Sequence, residues 1–298
     1  MIEYNSKVWF RHLINFRRSD TFRRLLVEML MVALYTAGVA YLVLQYLDHG
    51  RPEDEVNKTL KNTTIMHSIL GFVLSMLLVF RTNSAYDRWW EGRKLWGKLV
   101  NVSRNLAIKI NAYLPQSNQA ARLFFRTMIP NYVYCLKEHL RNNKLAEEID
   151  EIEGIKESLQ GKDHWPNLLI QEMYRKSKSL VESGEISGDE QIVIDRELSA
   201  FADIQGGCER IKNTPIPFSY NIFLKKFIFF YVITIPLGFV AYFQYWAIPI
   251  SVFVFYVLVS LEIIAEEIED PFGIDANDLP TGKLSVKIKQ NVQEIFEN

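Results

Sequence analysis

Cysteine is almost absent from this sequence. The 298 residues hold two, Cys135 and Cys208, which is too few for a disulfide scaffold, and both are read as small buried residues. Histidine is also sparse. His12, His49, His67, His139 and His164 are scattered, and none stands three or four residues from another, so the spacing predicts no metal site and no cofactor. The chain has no glycine-rich phosphate loop, no nucleophile elbow and no His-Glu-x-x-His, which argues against an enzyme. Excess charge is missing too. The net value is −1, and no basic stripe with interleaved aromatics marks a nucleic-acid partner. Period-2 alternation is scarce, which excludes a strand-rich fold and leaves an all-α reading.

What the sequence does have is apolar residues gathered into blocks. Residues 25–47 carry a single charge, Glu28, near their start. Residues 62–80 carry none with His67 neutral, and residues 227–261 carry none at all. About 20 apolar residues suffice to span a bilayer. The third block would be roughly 50 Å long as one helix, well beyond a hydrocarbon core of about 30 Å. It is therefore predicted to be two helices with a turn near Phe243–Ile248, where Gln244, Tyr245 and Trp246 suit an interface.

Charge then sets the topology. Lys7, Arg11, Arg17, Arg18, Arg23 and Arg24 precede the first block, and no small-residue cleavage site follows it, so a signal peptide is not expected. Arg81, Arg88, Arg93, Lys94 and Lys98 follow the second block, and Lys225 and Lys226 precede the third. All three groups can be cytoplasmic if the chain crosses twice, then twice again. The expected division is a cytoplasmic N-terminal segment 1–24, membrane helices one and two in 25–80, a helical cytosolic region 81–225, membrane helices three and four in 226–266, and a polar cytoplasmic tail 267–298. Within the cytosolic region, 92–114, 118–143 and 190–212 are expected to be helical, with a kink at Pro130, and 145–189 to be a surface section of short helices and loops.

Three features stand out. Phe72, Met76 and Phe80 share one face of the second membrane helix at i, i+4 and i+8. Spacing alone leaves two readings open: an ordinary lipid-facing or packing stripe, or a set of apolar rings around a pore, which can gate by dewetting. The second is RTNSAYDRWWEGRKLWG at 81–97, with Arg81, Asp87, Arg88, Trp89 and Trp90 just past a membrane helix. An interfacial snorkelling belt is the plain reading, and Asp87 could pair with Arg81 or Arg88. The third is the acidic run AEEIEDPFGIDANDLP at 265–280. It lacks EF-hand spacing and reads as an acidic turn that caps helices.

Together, FRTNSAYDRWWEGRKLWG (80–97), CERIKNTPIPFSY (208–220) and IEDPFG (268–273) resemble the bestrophin family in its bacterial branch. The resemblance runs from VWFRHL at 8–13 to about Pro280. It implies a homopentameric ion channel of the inner membrane, with permeant monovalent ions and lipid as its other partners and no cofactor. It places the pore neck at Phe72, Met76 and Phe80. A second constriction, at the cytosolic exit, falls near Ile192, with Ile194 the alternative. Glu269, Asp270 and Pro271 are expected to dock the end of helix four, and Arg88, Trp89 and Trp90 to pack the subunit just inside the membrane. The run after Pro-Phe-Gly holds only Asp275 and Asp278, thinner than the Ca²⁺ clasp of animal members, so a Ca²⁺-independent channel is implied. Animal members conduct chloride and other anions, and a bacterial relative is similar to a cation channel, so the sign of selectivity stays open. A secondary transporter and a membrane-anchored scaffold are the rival readings.

Overall fold

A computed structural model describes residues 20–48, 55–143, 148–152, 154–159 and 161–297. His12, His49, residues 1–19 and the centre of the first interhelical loop lie outside the described residues. All regular structure among the described residues is helical. The chain forms two compact units.

The apolar unit comprises described residues up to Asp87 together with Ile216–Glu269. It contains α1 (Asp20–Arg24), α2 (Leu26–Asp48), the first half of α3 (Glu55–Tyr113), α8 (Phe218–Phe243) and α9 (Ala247–Glu269). A single 3₁₀ turn, Gln244–Trp246, separates α8 from α9, and Gln244 takes a φ of 50° to make it. The two helices pack on each other, so the long apolar block folds back at the turn expected from its length. The unit has only a thin interior. Leu74 and Leu78 of α3 meet Leu224, Ile228 and Val232 of α8, and Ala40, Val240 and Ala247 form a second small cluster. Gly238 lets α8 approach α3 closely: a Cβ there would stand 3.2 Å from the backbone nitrogen of Thr64. Most of the apolar surface stays uncovered, including Leu34, Leu42, Phe229, Phe253 and Trp246. Three stretches, Leu26–Gln45, Asn62–Tyr113 and Phe218–Glu269, contain helix long and apolar enough to cross a bilayer. Bare apolar helices of this length are what a bilayer solvates and water does not.

The polar unit comprises Arg88–Pro215 and Asp270–Asn298. It contains the second half of α3, α4 (Gln119–Leu140), α5 (Ile155–Leu159), α6 (Trp165–Glu182), α7 (Gly188–Asn213) and α10 (Thr281–Glu297). Its core is of ordinary water-soluble kind. Trp96, Leu99, Leu106 and Ile110 of α3 join Phe125, Met128 and Tyr132 of α4, with Leu198, Phe201 and Ile204 of α7. The Tyr132 hydroxyl donates to the Phe201 carbonyl at 2.9 Å inside this core. Ser187 and Glu190 form a capping box that starts α7.

Several expectations are corrected here. α3 is one helix of 59 residues, about 90 Å long, where two separate helices were expected. The polar motif between them contains no proline, and its Gly92 and Gly97 cost only about 1 kcal/mol each inside a helix. The section 145–189 holds an 18-residue helix, α6, which buries Leu169, Ile170, Met173 and Leu180 rather than lying on the surface. The polar tail folds as α10, which packs on α4 through Ile288 and Val292. Pro130 lies inside α4, which runs from Gln119 to Leu140 within the span expected to be helical.

Candidate functional site

The first half of α3 has two unlike faces. At 100° per residue, with Leu74 set to zero, His67, Leu78, Arg81 and Ala85 all fall within about 40°. These five are the buried side. Phe72, Met76 and Phe80 fall at about 160°, 200° and 240°, on the far side. They are 67%, 46% and 59% exposed. Asn83 and Asp87 extend that face and are exposed too. The helix thus presents three large apolar side chains away from the interior of the apolar unit, ending in polar ones.

The opposite face is held by charge. Arg81 is 1% exposed, and its Nη2 donates to Glu269 Oε2 at 2.7 Å. Its Nε lies 3.7 Å from Glu262 Oε2. Glu269 also accepts the backbone N–H of Ile216 at 2.7 Å. Tyr220 donates to the Leu77 carbonyl at 2.9 Å. α3 is thereby tied to the end of α9 and the start of α8 within the apolar unit. Arg81 therefore pairs with Glu262 and Glu269, 181 and 188 residues away, not with Asp87.

In the polar unit, the tryptophan-rich motif organises packing. Arg88 donates to the carbonyls of Thr214 and Ile211, which satisfies the open carbonyls at the end of α7. Trp89 Nε1 donates to the Asn277 carbonyl at 3.0 Å. Gly92 leaves room for Pro271 and Phe272: a Cβ there would stand 3.2 Å from both side chains. Pro271 is buried, and Asp270 is exposed. Trp96 is fully buried, whereas Trp90 is about half exposed. Within the polar unit, residues 88–97, 208–215 and the Asp-Pro-Phe-Gly segment, far apart in sequence, meet around α3. Asp278 is buried, and its Oδ2 accepts the Asp275 N–H at 2.6 Å, so one of the two carboxylates of the thin acidic run closes its own turn.

Ile192 and Ile194 have different fates. Ile194 is fully buried in the core of the polar unit, while Ile192 stands 67% exposed in the first turns of α7. Cys135 and Cys208 are both buried, and burial, then nearby carboxylates, push each thiol up to about 12. Sequence spacing could not foresee one grouping: His139 of α4 and His164, the cap of α6, come together with Glu209 of α7.

The sequence model of the family described as "Bacterial/Fungal Bestrophin protein" matches residues 1–294. A voltage-dependent anion channel-forming protein of Escherichia coli (strain K12), YneE, is 31% identical over 283 residues, covering 94% of this chain and 89% of its own length. A protein of the same description from Mesorhizobium japonicum is 29% identical over 272 residues, covering 91% of this chain and 84% of its own. A crystal structure of a bacterial bestrophin homologue from Klebsiella pneumoniae superposes with a TM-score of 0.82 at 25% identity, covering 92% of this chain and all of that one. With the motifs, the all-helical fold and the match along nearly its whole length, this chain belongs to the bacterial and fungal bestrophin family.

Proposed function

We propose that this protein is a passive ion channel of the bestrophin type. Five copies surround one axis, four helical crossings per copy span the inner membrane, and both termini and the polar unit are cytoplasmic. The neck is built from the α3 helices, with Phe72, Met76 and Phe80 forming three stacked apolar rings. Ile192 lines the cytosolic exit.

One observation carries this reading: α3 exposes those three side chains opposite the face it buries against its own subunit. From Phe72 to Phe80 the helix rises about 12 Å, long enough for a neck of several water diameters. Apolar rings at that width raise the cost of wetting and let small movements gate flow. The buried Arg81–Glu269 pair holds the other face of α3, so the neck rests on a fixed support. The relatives' names favour anions, and chloride is the first ion to test. Apolar rings carry no sign of their own, so selectivity rests on charged groups elsewhere along the path.

The test is ion flux from liposomes containing purified protein. Changing Phe72, Met76 and Phe80 together to Ala should raise conductance and weaken gating. Unchanged flux in the triple variant would count against the neck. A reversal potential in asymmetric KCl then gives the sign of the permeant ion.

A further inference from the structure

The polar unit contains a side-chain cluster that conduction does not use. His139 lies in the last turn of α4, His164 caps the start of α6, and Glu209 lies near the end of α7. The Nε2 of His164 is 2.9 Å from Glu209 Oε1, and the Nε2 of His139 is 3.1 Å from the same oxygen. The two rings stand 4.4 Å apart between centroids. One ligand atom from each of the three residues lies within 4.8 Å of the other two. Beside them is a cavity of about 260 Å³, lined by His139 with Cys135, Asn142, Asp163 and Trp165.

We propose that His139, His164 and Glu209 bind one divalent transition-metal ion, with zinc the best fit, and that the ion clamps α4, α6 and α7 together. Two imidazole nitrogens and one carboxylate oxygen suit zinc, whereas Ca²⁺ and Mg²⁺ take oxygen ligands throughout. Tetrahedral zinc with bonds of about 2.0–2.2 Å places its ligand atoms roughly 3.3–3.5 Å apart. The 2.9 and 3.1 Å contacts need to open by only a few tenths of an ångström to admit it. The cavity beside His139 has room for water as a fourth ligand. Burial, and then the neighbouring His164 ring, hold the His139 imidazole below its ordinary range, while Glu209 pulls the other way. A neutral ring is the ligand-competent form.

Two effects oppose binding. Lys212 donates to the His139 carbonyl at 2.9 Å and to Asn142 Oδ1, and its charge disfavours a second cation nearby. Ligation through Nε2 also moves the His164 proton to Nδ1. That gives up the bond from the Asn167 N–H, which at 3.3 Å is long for a hydrogen bond and correspondingly weak. Three ligands closing on one ion outweigh one weak cap, and Glu209 supplies the negative charge that offsets Lys212.

The test uses tag-free full-length protein in detergent, dialysed against Zn²⁺ and assayed for bound metal, with Co²⁺ absorption as a reading of tetrahedral geometry. The wild type should hold one equivalent per chain and melt at a higher temperature with Zn²⁺. The double variant His139→Gln/His164→Asn should hold less than a tenth as much at the same free Zn²⁺ and show no rise in melting temperature; Asn keeps the helix cap. Glu209→Gln, which preserves side-chain shape, should weaken binding at least tenfold and serves alone if the double variant does not fold. Equal Zn²⁺ on the wild type and on any folded variant would overturn the proposal, as would a wild type that binds none.

Discussion

Replacing Arg81 by Met removes one cation and leaves two carboxylates facing a space that water barely reaches. The side chains of Arg81, Glu262 and Glu269 are 1%, 5% and 10% exposed. Methionine keeps most of the volume, so packing changes little and charge dominates the outcome. Breaking a buried ion pair by removing one partner costs about 3–5 kcal/mol, because the remaining charge stays desolvated. The Ile216 N–H still serves Glu269, while both Glu262 oxygens have no hydrogen-bond partner among the described residues. The loss should therefore sit inside that range. A domain of this size loses roughly 2–4 °C of melting temperature per kcal/mol, so a drop of at least about 6 °C is expected. The assay is thermal unfolding in detergent followed by tryptophan fluorescence and by size exclusion. A triple variant, Arg81→Met with Glu262→Gln and Glu269→Gln, removes every charge and should recover most of the loss. A single variant melting within about 2 °C of wild type, or a triple variant no more stable than the single one, would show that the buried charges do not set this stability.

Two further variants probe the polar unit. Gly92→Val drives a branched side chain into Pro271 and Phe272 and should lower stability by about 1–3 kcal/mol, seen as a lower melting temperature. Tyr132→Phe removes a buried hydroxyl and its hydrogen bond to the Phe201 carbonyl, which keeps its partner within α7, and should cost about 0.5–1.5 kcal/mol, by the same measurement.

The sequence shows some of this plainly and hides the rest for physical reasons. Apolar blocks are local, so α2, the α8–α9 turn and the shared face of Phe72, Met76 and Phe80 can be read directly from spacing. α10 was legible in principle: Leu284, Ile288, Val292 and Ile295 recur at helical spacing, but the surrounding lysines and glutamines made the segment read as a polar tail. The continuity of α3 was harder to see, because polar residues at 81–97 look like an exit from the membrane whether or not the helix goes on. Arg81 illustrates the real limit. Its neighbours in sequence suggested Asp87, and its partners are Glu262 and Glu269, which only the fold brings near. His139, His164 and Glu209 are hidden for the same reason.

In the proposed channel the α3 face bearing Met76 lines the ion path. That placement can be tested on single channels of a Met76→Cys variant exposed to a small charged thiol reagent. The native cysteines make a quiet background, because both are buried and burial pushes their thiols up to about 12. The reagent should block or sharply reduce current in Met76→Cys and leave the parent channel unchanged. Complete modification of the introduced thiol with no change in current would contradict that placement.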